Sequence, residues 1–224
     1  MIADCVRSHV AWISLQAKAC GGAIGTDGAI DWAWVPPSRT LHLLFPGEPR
    51  ERDVESVVGV ADEAGATATV VWSARDRALP QLRGLGFRGG WQPWWMQVDP
   101  TRVRFERPRA RLATVAAEQD AGYAPLVGHP DVLLGEATED GRLAGRAWLH
   151  VDGETAGLYD MAVRPEFQRR GLGGELVGLL AAEAAARGAQ RLTLNATPVG
   201  AVLYASCGFR MLGAGRTWWR HRVG

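Results

Sequence analysis

The chain has a single lysine, Lys18, and three cysteines, Cys5, Cys20 and Cys207. One lysine argues against chemistry built on a lysine nucleophile. An odd trio of cysteines without paired spacing supports neither a disulfide framework nor a zinc site, and free thiols fit a reducing cytoplasm. Charge of one sign is also lacking: 25 basic residues against 24 acidic ones leave a formal net charge of +1, with no global field for nucleic acid or an anionic membrane. No stretch reaches the roughly 18 continuous apolar residues of a membrane helix, and the start at Met1–Arg7 lacks the apolar segment of a secretory leader. The expectation is a soluble cytoplasmic protein with no metal, membrane or nucleic-acid partner, for which a homodimer remains open.

What is present is glycine, 28 residues, and tryptophan, 10 residues, in 224 positions, enough for one large domain or two small ones. The glycine counts most in the stretch Asp160 to Glu175. There an alternating strand stops at Pro165, and Gln168-Arg169-Arg170-Gly171-Leu172-Gly173-Gly174 opens an apolar helix that runs to about Arg187-Gly188. Glycines let backbone amides from Arg170 to Gly174 approach an anion, and the helix N-terminus adds its positive field. Arg169 and Arg170 bring formal charge to the same place. The pattern reads as a phosphate cradle; it lacks the Gly-Lys-Ser/Thr of a P-loop and the glycine spacing of a dinucleotide fold.

This order of parts resembles the GNAT acyltransferase superfamily, whose signature is Gln or Arg, two residues, Gly, one residue, then Gly or Ala. Gln168, Gly171 and Gly173 fill it without a mismatch. The resemblance implies an α/β fold with a mixed sheet flanked by helices, and acetyl-CoA as co-substrate. Its pyrophosphate would rest on Gln168, Arg169, Arg170, Gly171, Leu172, Gly173 and Gly174. It also implies that the strand before the loop splays from its neighbour, so that backbone groups of Met161, Ala162 and Val163 meet the pantetheine arm. Asn195 matches a position near the coenzyme. Tyr204, three residues before Cys207-Gly208-Phe209, matches the usual general acid, and a phenol of pKa about 10 is protonated at neutral pH. A hydrogen-bonded structural tyrosine and a satisfied core amide are the alternatives at Tyr204 and Asn195. Cys207 reads as a small core residue.

The base is less defined. Asp160, a charge in mid-strand, is the first candidate, with Glu136 and His150 as others. Gly157 stands where some relatives carry a glutamate.

The first half repeats the second. Leu85-Gly86-Phe87-Arg88 followed by Trp94-Trp95 matches Cys207-Gly208-Phe209-Arg210 followed by Trp218-Trp219, which suggests a tandem duplication divided as 1–99 and 100–224. In the first copy the loop position is Pro46-Gly47-Glu48-Pro49-Arg50-Glu51-Arg52. Its prolines lack donors and its acids repel phosphate, so this copy is expected not to hold coenzyme A. Helices are expected from about Ser8 to Cys20, Glu51 to Ala64, Arg77 to Arg83 and Ala110 to Ala121. Strands are expected over 29–35, 40–45, 66–72, around Trp91, Trp94 and Trp95, and over 102–106. Later come a hairpin turned at Glu139-Asp140-Gly141, strands over 155–163 and 191–195, and a short helix capped by Thr197-Pro198. The tryptophan pairs either line an acceptor pocket or pack between the copies. Two functions follow: an N-acetyltransferase moving acetyl to the primary amine of a small molecule, or a non-catalytic acyl-CoA-binding sensor.

Overall fold

The computed structural model describes residues 1–103, 109–115 and 118–222. Helix α1 (Ile2–Ala19) contains neither Gly nor Pro and places Asp4 in its first turn and Lys18 in its last, each opposing the helix dipole there. Gly21, at φ 75°, ends it. Strands β1 (Ala23–Asp27) and β2 (Ile30–Val35) form a hairpin that turns on Gly28 at φ 59°. Strand β1 is not expected from the sequence, because its Ala, Gly and Asp carry no strand signal. Strand β3 (Thr40–Leu43), helix α2 (Glu51–Glu63), strand β4 (Ala68–Ser73), helix α3 (Pro80–Gly84), and strands β5 (Arg88–Gly89) and β6 (Trp94–Val98) follow. Trp91 lies outside any strand.

Beyond Asp99, β7 (Ala110–Ala113) pairs with β8 (Val132–Glu139), where a helix was expected. Four residues of helix-compatible spacing cannot resist an open sheet edge, since tertiary pairing overrides weak propensity. A 3-10 segment covers Glu118–Leu126. Of the strand expected at 102–106, Arg102 ends a 3-10 turn and 104–106 lie outside the described residues. The rest follows the expected order: β9 (Arg142–Asp152), β10 (Thr155–Val163), α4 (Leu172–Ala186), β11 (Arg191–Ala196), α5 (Pro198–Ser206), β12 (Arg210–Ala214) and β13 (Arg216–His221).

Two mixed sheets result, ordered β1-β2-β3-β4-β13-β5 and β12-β6-β11-β10-β9-β8-β7. The final strand of each sequence half thus belongs to the other half's sheet. Two compact units form, one of Met1–His9 with Trp94–Leu212 and one of Val10–Pro93 with Gly213–Gly224.

In the second of these units, parallel β3 and β4 flank α2 and stay paired from Thr40↔Ala68 to Leu43↔Val71. Its core gathers Ile30, Leu41, Leu43, Val54, Val57 and Phe87. In the first, the apolar side chains alternating along β10 and β11, Ala156, Leu158, Leu192 and Leu194, meet Leu176 and Leu180 of α4. Burying each such leucine contributes about 1.5–3 kcal/mol. The residues between them, Gly157, Tyr159, Thr193 and Asn195, face the other side. There the first turns of α1 lie against the sheet through Cys5, Ser8 and His9.

Candidate active site

Strands β10 and β11 pair in parallel for three positions, Thr155↔Arg191, Ala156↔Leu192 and Gly157↔Thr193, and then part, although β10 continues to Val163 and β11 to Ala196. On its other edge β10 stays bound to β9, except at a bulge between Tyr159 and Ala162. The bulge holds Asp160 at φ 47°, a left-handed conformation that Asp tolerates better than most residues. This is the structural reason for a charge in mid-strand, and the side chain is exposed.

The amide of Arg164 donates to Ala144 of β9 at 2.8 Å. By alternation Ala162 also faces β9, while the backbone groups of Met161 and Val163 face the opening toward β11. The carbonyl of Val163 there accepts from Gln168 Nε2 at 3.0 Å. Gln168 therefore ties the loop to the strand edge.

The loop itself turns on two left-handed residues, Arg169 at φ 64° and Gly171 at φ 87°. Gly171 caps α4 without a side chain, so the first-turn amides of α4 have no side-chain acceptor there. Gly173 allows the helix to approach α5: a Cβ on it would stand 2.8 Å from Leu203 Cδ2.

The two arginines of the loop differ. Arg170 reaches Glu139 at 3.1 Å and the Glu166 carbonyl at 3.1 Å, and its guanidinium lies over the Phe167 ring. Arg169 is exposed and makes no side-chain bond among the described residues, so its charge is the one available to an anion. Arg109, which the sequence did not bring to attention, binds the buried carboxylate of Glu175 through Nε at 2.8 Å and Nη2 at 2.7 Å. The same Nη2 donates to the carbonyl of Arg170 at 2.7 Å, and Nη1 reaches Glu139 at 2.9 Å. Thus the acid in the first turn of α4 is neutralised locally rather than facing the cradle.

Thr197 caps α5 by accepting from the Gly200 amide at 3.0 Å, and α5 presents Tyr204. Tyr204 is buried edge-on to Phe209 at 5.7 Å. Burial first, then the charges of Cys207 and Asp160, push its phenol above the usual range. Among the described residues nothing hydrogen-bonds its hydroxyl. Half-buried Cys207 is a free thiol.

On the opposite face of the opening, Ser8 Oγ and Tyr159 Oη meet at 2.7 Å, and Asn195 Nδ2 lies 3.2 Å from His9 Nδ1. The His9 ring packs 6.1 Å from Trp95 and 6.0 Å from Tyr159. Asn195, expected near the coenzyme, thus has a side-chain partner from α1. Nothing in the sequence pointed to His9, because it is 186 residues from Asn195. The other base candidates lie along β8 and β9. Glu136 stands opposite Arg146, and buried His150 stands opposite Gly157, its imidazole held below the usual value by burial. Cavities of 660 Å³ border Arg83, Arg88 and Arg216 in one unit and Gln97, Arg191 and Arg210 in the other, and neither is lined by the loop, the opening or Tyr204.

Comparison with known proteins fits this geometry. A GCN5-related N-acetyltransferase from Kribbella flavida superposes with a TM-score of 0.68 at 15% identity, over 97% of this chain and 96% of that one. A functionally unknown conserved protein from Staphylococcus epidermidis gives 0.67 at 14% identity, over 90% and 95%. A tandem GNAT protein from the clavulanic acid biosynthesis pathway gives 0.54 at 16%, over 87% and 79%. None of the curated proteins matches. The model of the acetyltransferase (GNAT) family matches residues 91–209, more than half of the chain. With its parted strands, its glycine loop and a second sheet that carries a β-α-β unit of its own, the chain belongs to the GNAT acetyltransferase family.

Proposed function

We propose that the protein is an acetyl-CoA-dependent N-acetyltransferase that acylates the primary amine of a small molecule. The parting of β10 from β11 beside an open helix N-terminus carries the reading, because it leaves strand-edge groups for an amide-bearing arm next to amides for a pyrophosphate. The residues present fit the co-substrate, which supplies an activated thioester. Met161 and Val163 present their backbone groups along the open strand edge, while Ala162 between them holds the strand to β9. The amides of Arg170, Gly171, Leu172, Gly173 and Gly174, with Gln168 positioning the turn and Arg169 adding charge, receive the phosphates.

An amide of the open edge near Met161 is suited to polarise the reacting carbonyl. Tyr204 holds a proton at an unengaged hydroxyl and gives it to the departing sulfur. Asp160 contributes negative charge felt at Tyr204, which keeps the phenol protonated. A second reading, an acyl-CoA-binding sensor without turnover, draws support from Gly157, where a carboxylate base is missing.

Thermal unfolding with and without acetyl-CoA, on the wild type and on Gly171→Asp, tests the coenzyme site. Ligand at about 100 times its Kd stabilises the wild type by about 2.7 kcal/mol. The aspartate, strained at φ 87° and repelling phosphate, abolishes the shift. No shift in the wild type would remove the acetyl-CoA reading. Coenzyme release with a panel of primary amines then separates enzyme from sensor.

A further inference from the structure

We propose that His9, on α1, takes the proton from the acceptor ammonium, held in place by Asn195 and flanked by Tyr159. The inference rests on the acetyltransferase reading and deepens it by assigning the base.

The opening between β10 and β11 has two faces. Tyr204 reaches it from the side of α4 and α5, where Leu158, Leu192 and Leu194 point. Tyr159 and Asn195 reach it from the other side, and both lie past the last paired positions, Gly157 and Thr193. An amine attacking from that second face meets residues of the first turns of α1. The site of a family carboxylate is blocked there: a Cβ on Gly157 would stand 2.2 Å from Tyr159 Oη and 2.4 Å from Ser8 Oγ. The imidazole that stands on this face, at 3.2 Å from Asn195 and in ring contact with Tyr159, is His9.

Asn195 suits such a base. Its amide N–H donates to Nδ1 of the neutral ring at 3.2 Å, and a half-turn of the amide presents Oδ1 to accept from Nδ1–H of the imidazolium. A lysine or a carboxylate serves one state only. The other groups bearing on this face are the thiol of Cys5, kept neutral by burial that pushes it up to about 12, and the phenol of Tyr159, raised by burial. The carboxylates of Asp160 and Asp152 are felt at Tyr159, and burial holds the His150 imidazole below the usual value.

The proton balance is direct. His9 accepts one proton from R-NH3⁺, and the free amine forms the C–N bond while the C–S bond breaks. Tyr204 protonates the sulfur, and the second proton leaving nitrogen replaces the one Tyr204 gave, so that one proton per turnover is left on His9.

The test compares wild type, His9→Gln and Asp160→Asn by three readouts: acetyl-CoA thermal shift, the pH profile of kcat/KM with the best amine of the panel, and imidazole NMR titration. In His9→Gln the thermal shift is unchanged, kcat/KM at neutral pH falls about 10²-fold or more, and the acid limb of the profile disappears. In the wild type, the His9 resonance titrates at the midpoint of that limb. Asp160→Asn keeps the limb. An active wild type whose His9→Gln variant retains rate and limb, or a limb lost in Asp160→Asn instead, overturns the assignment and leaves the acetyltransferase reading standing. A wild type that neither binds acetyl-CoA nor acylates any amine fails one level earlier.

Discussion

The hydroxyls of Ser8 and Tyr159 meet at 2.7 Å directly above Gly157, where a β-carbon has no room. A glycine at this position is therefore not a vacancy awaiting a carboxylate. The contact from α1 depends on it.

Gly157→Glu does not create a base. The new side chain must displace Ser8 and Tyr159, overpacking the sheet at a cost of about 1–3 kcal/mol. Urea denaturation is expected to show a lower midpoint than in the wild type. Gly157→Ala should already show a drop, because its β-carbon meets the same two oxygens.

Arg169→Ala and Arg170→Ala are expected to separate. Removing the uncommitted Arg169 guanidinium weakens acetyl-CoA about tenfold, on the order of one charge-assisted bond, with little change in melting temperature. Removing Arg170 chiefly lowers the melting temperature, since its partners are Glu139 and the Glu166 carbonyl. Isothermal titration paired with thermal melts distinguishes the two.

Glu175→Gln releases Arg109, whose guanidinium also holds the Arg170 carbonyl. The glycine loop should loosen, with a lower melting temperature and a larger Kd for acetyl-CoA. Equal affinity in this variant would show that the loop keeps its shape unaided.

Tyr204→Phe keeps the packing against Phe209 and removes the proton. A fall in kcat of about 10²-fold with an unchanged Kd for acetyl-CoA is expected. Because burial raises the phenol, the wild type should show no loss of activity from Tyr204 ionisation below about pH 10.

In the other unit, His42 is fully buried, accepts from Trp72 Nε1 at 3.1 Å, and has its imidazole pushed down to about 3 by burial. The unfolded chain takes up this proton near pH 6.5 and the folded one only near 3. Stability is thus complete above about 6.5 and declines as pH falls toward 3, by on the order of 4 kcal/mol. Denaturant melts between pH 7 and 4 should show that slope, and His42→Gln should flatten it.

The local order of this protein was legible in its sequence. Gln168, Gly171 and Gly173 after a proline-stopped strand mark the loop, Thr197-Pro198 starts α5, and Asp140-Gly141 turns the hairpin. Each signal acts within a few residues, through glycine dihedrals, a missing proline amide or a side-chain cap. A repeated order of parts was legible too, because Gly86-Phe87 and Gly208-Phe209 recur with their tryptophan pairs, and the chain forms two mixed sheets. Only tertiary structure decided which sheet each final strand joins, since β6 and β13 have the same local preferences and their partners are set by packing at long range. The same holds for the edge strand β7, expected as a helix, and for the setting of His9. Its approach to Asn195 spans 186 residues, and no local pattern in the chain encodes a contact that only the folded sheet brings about.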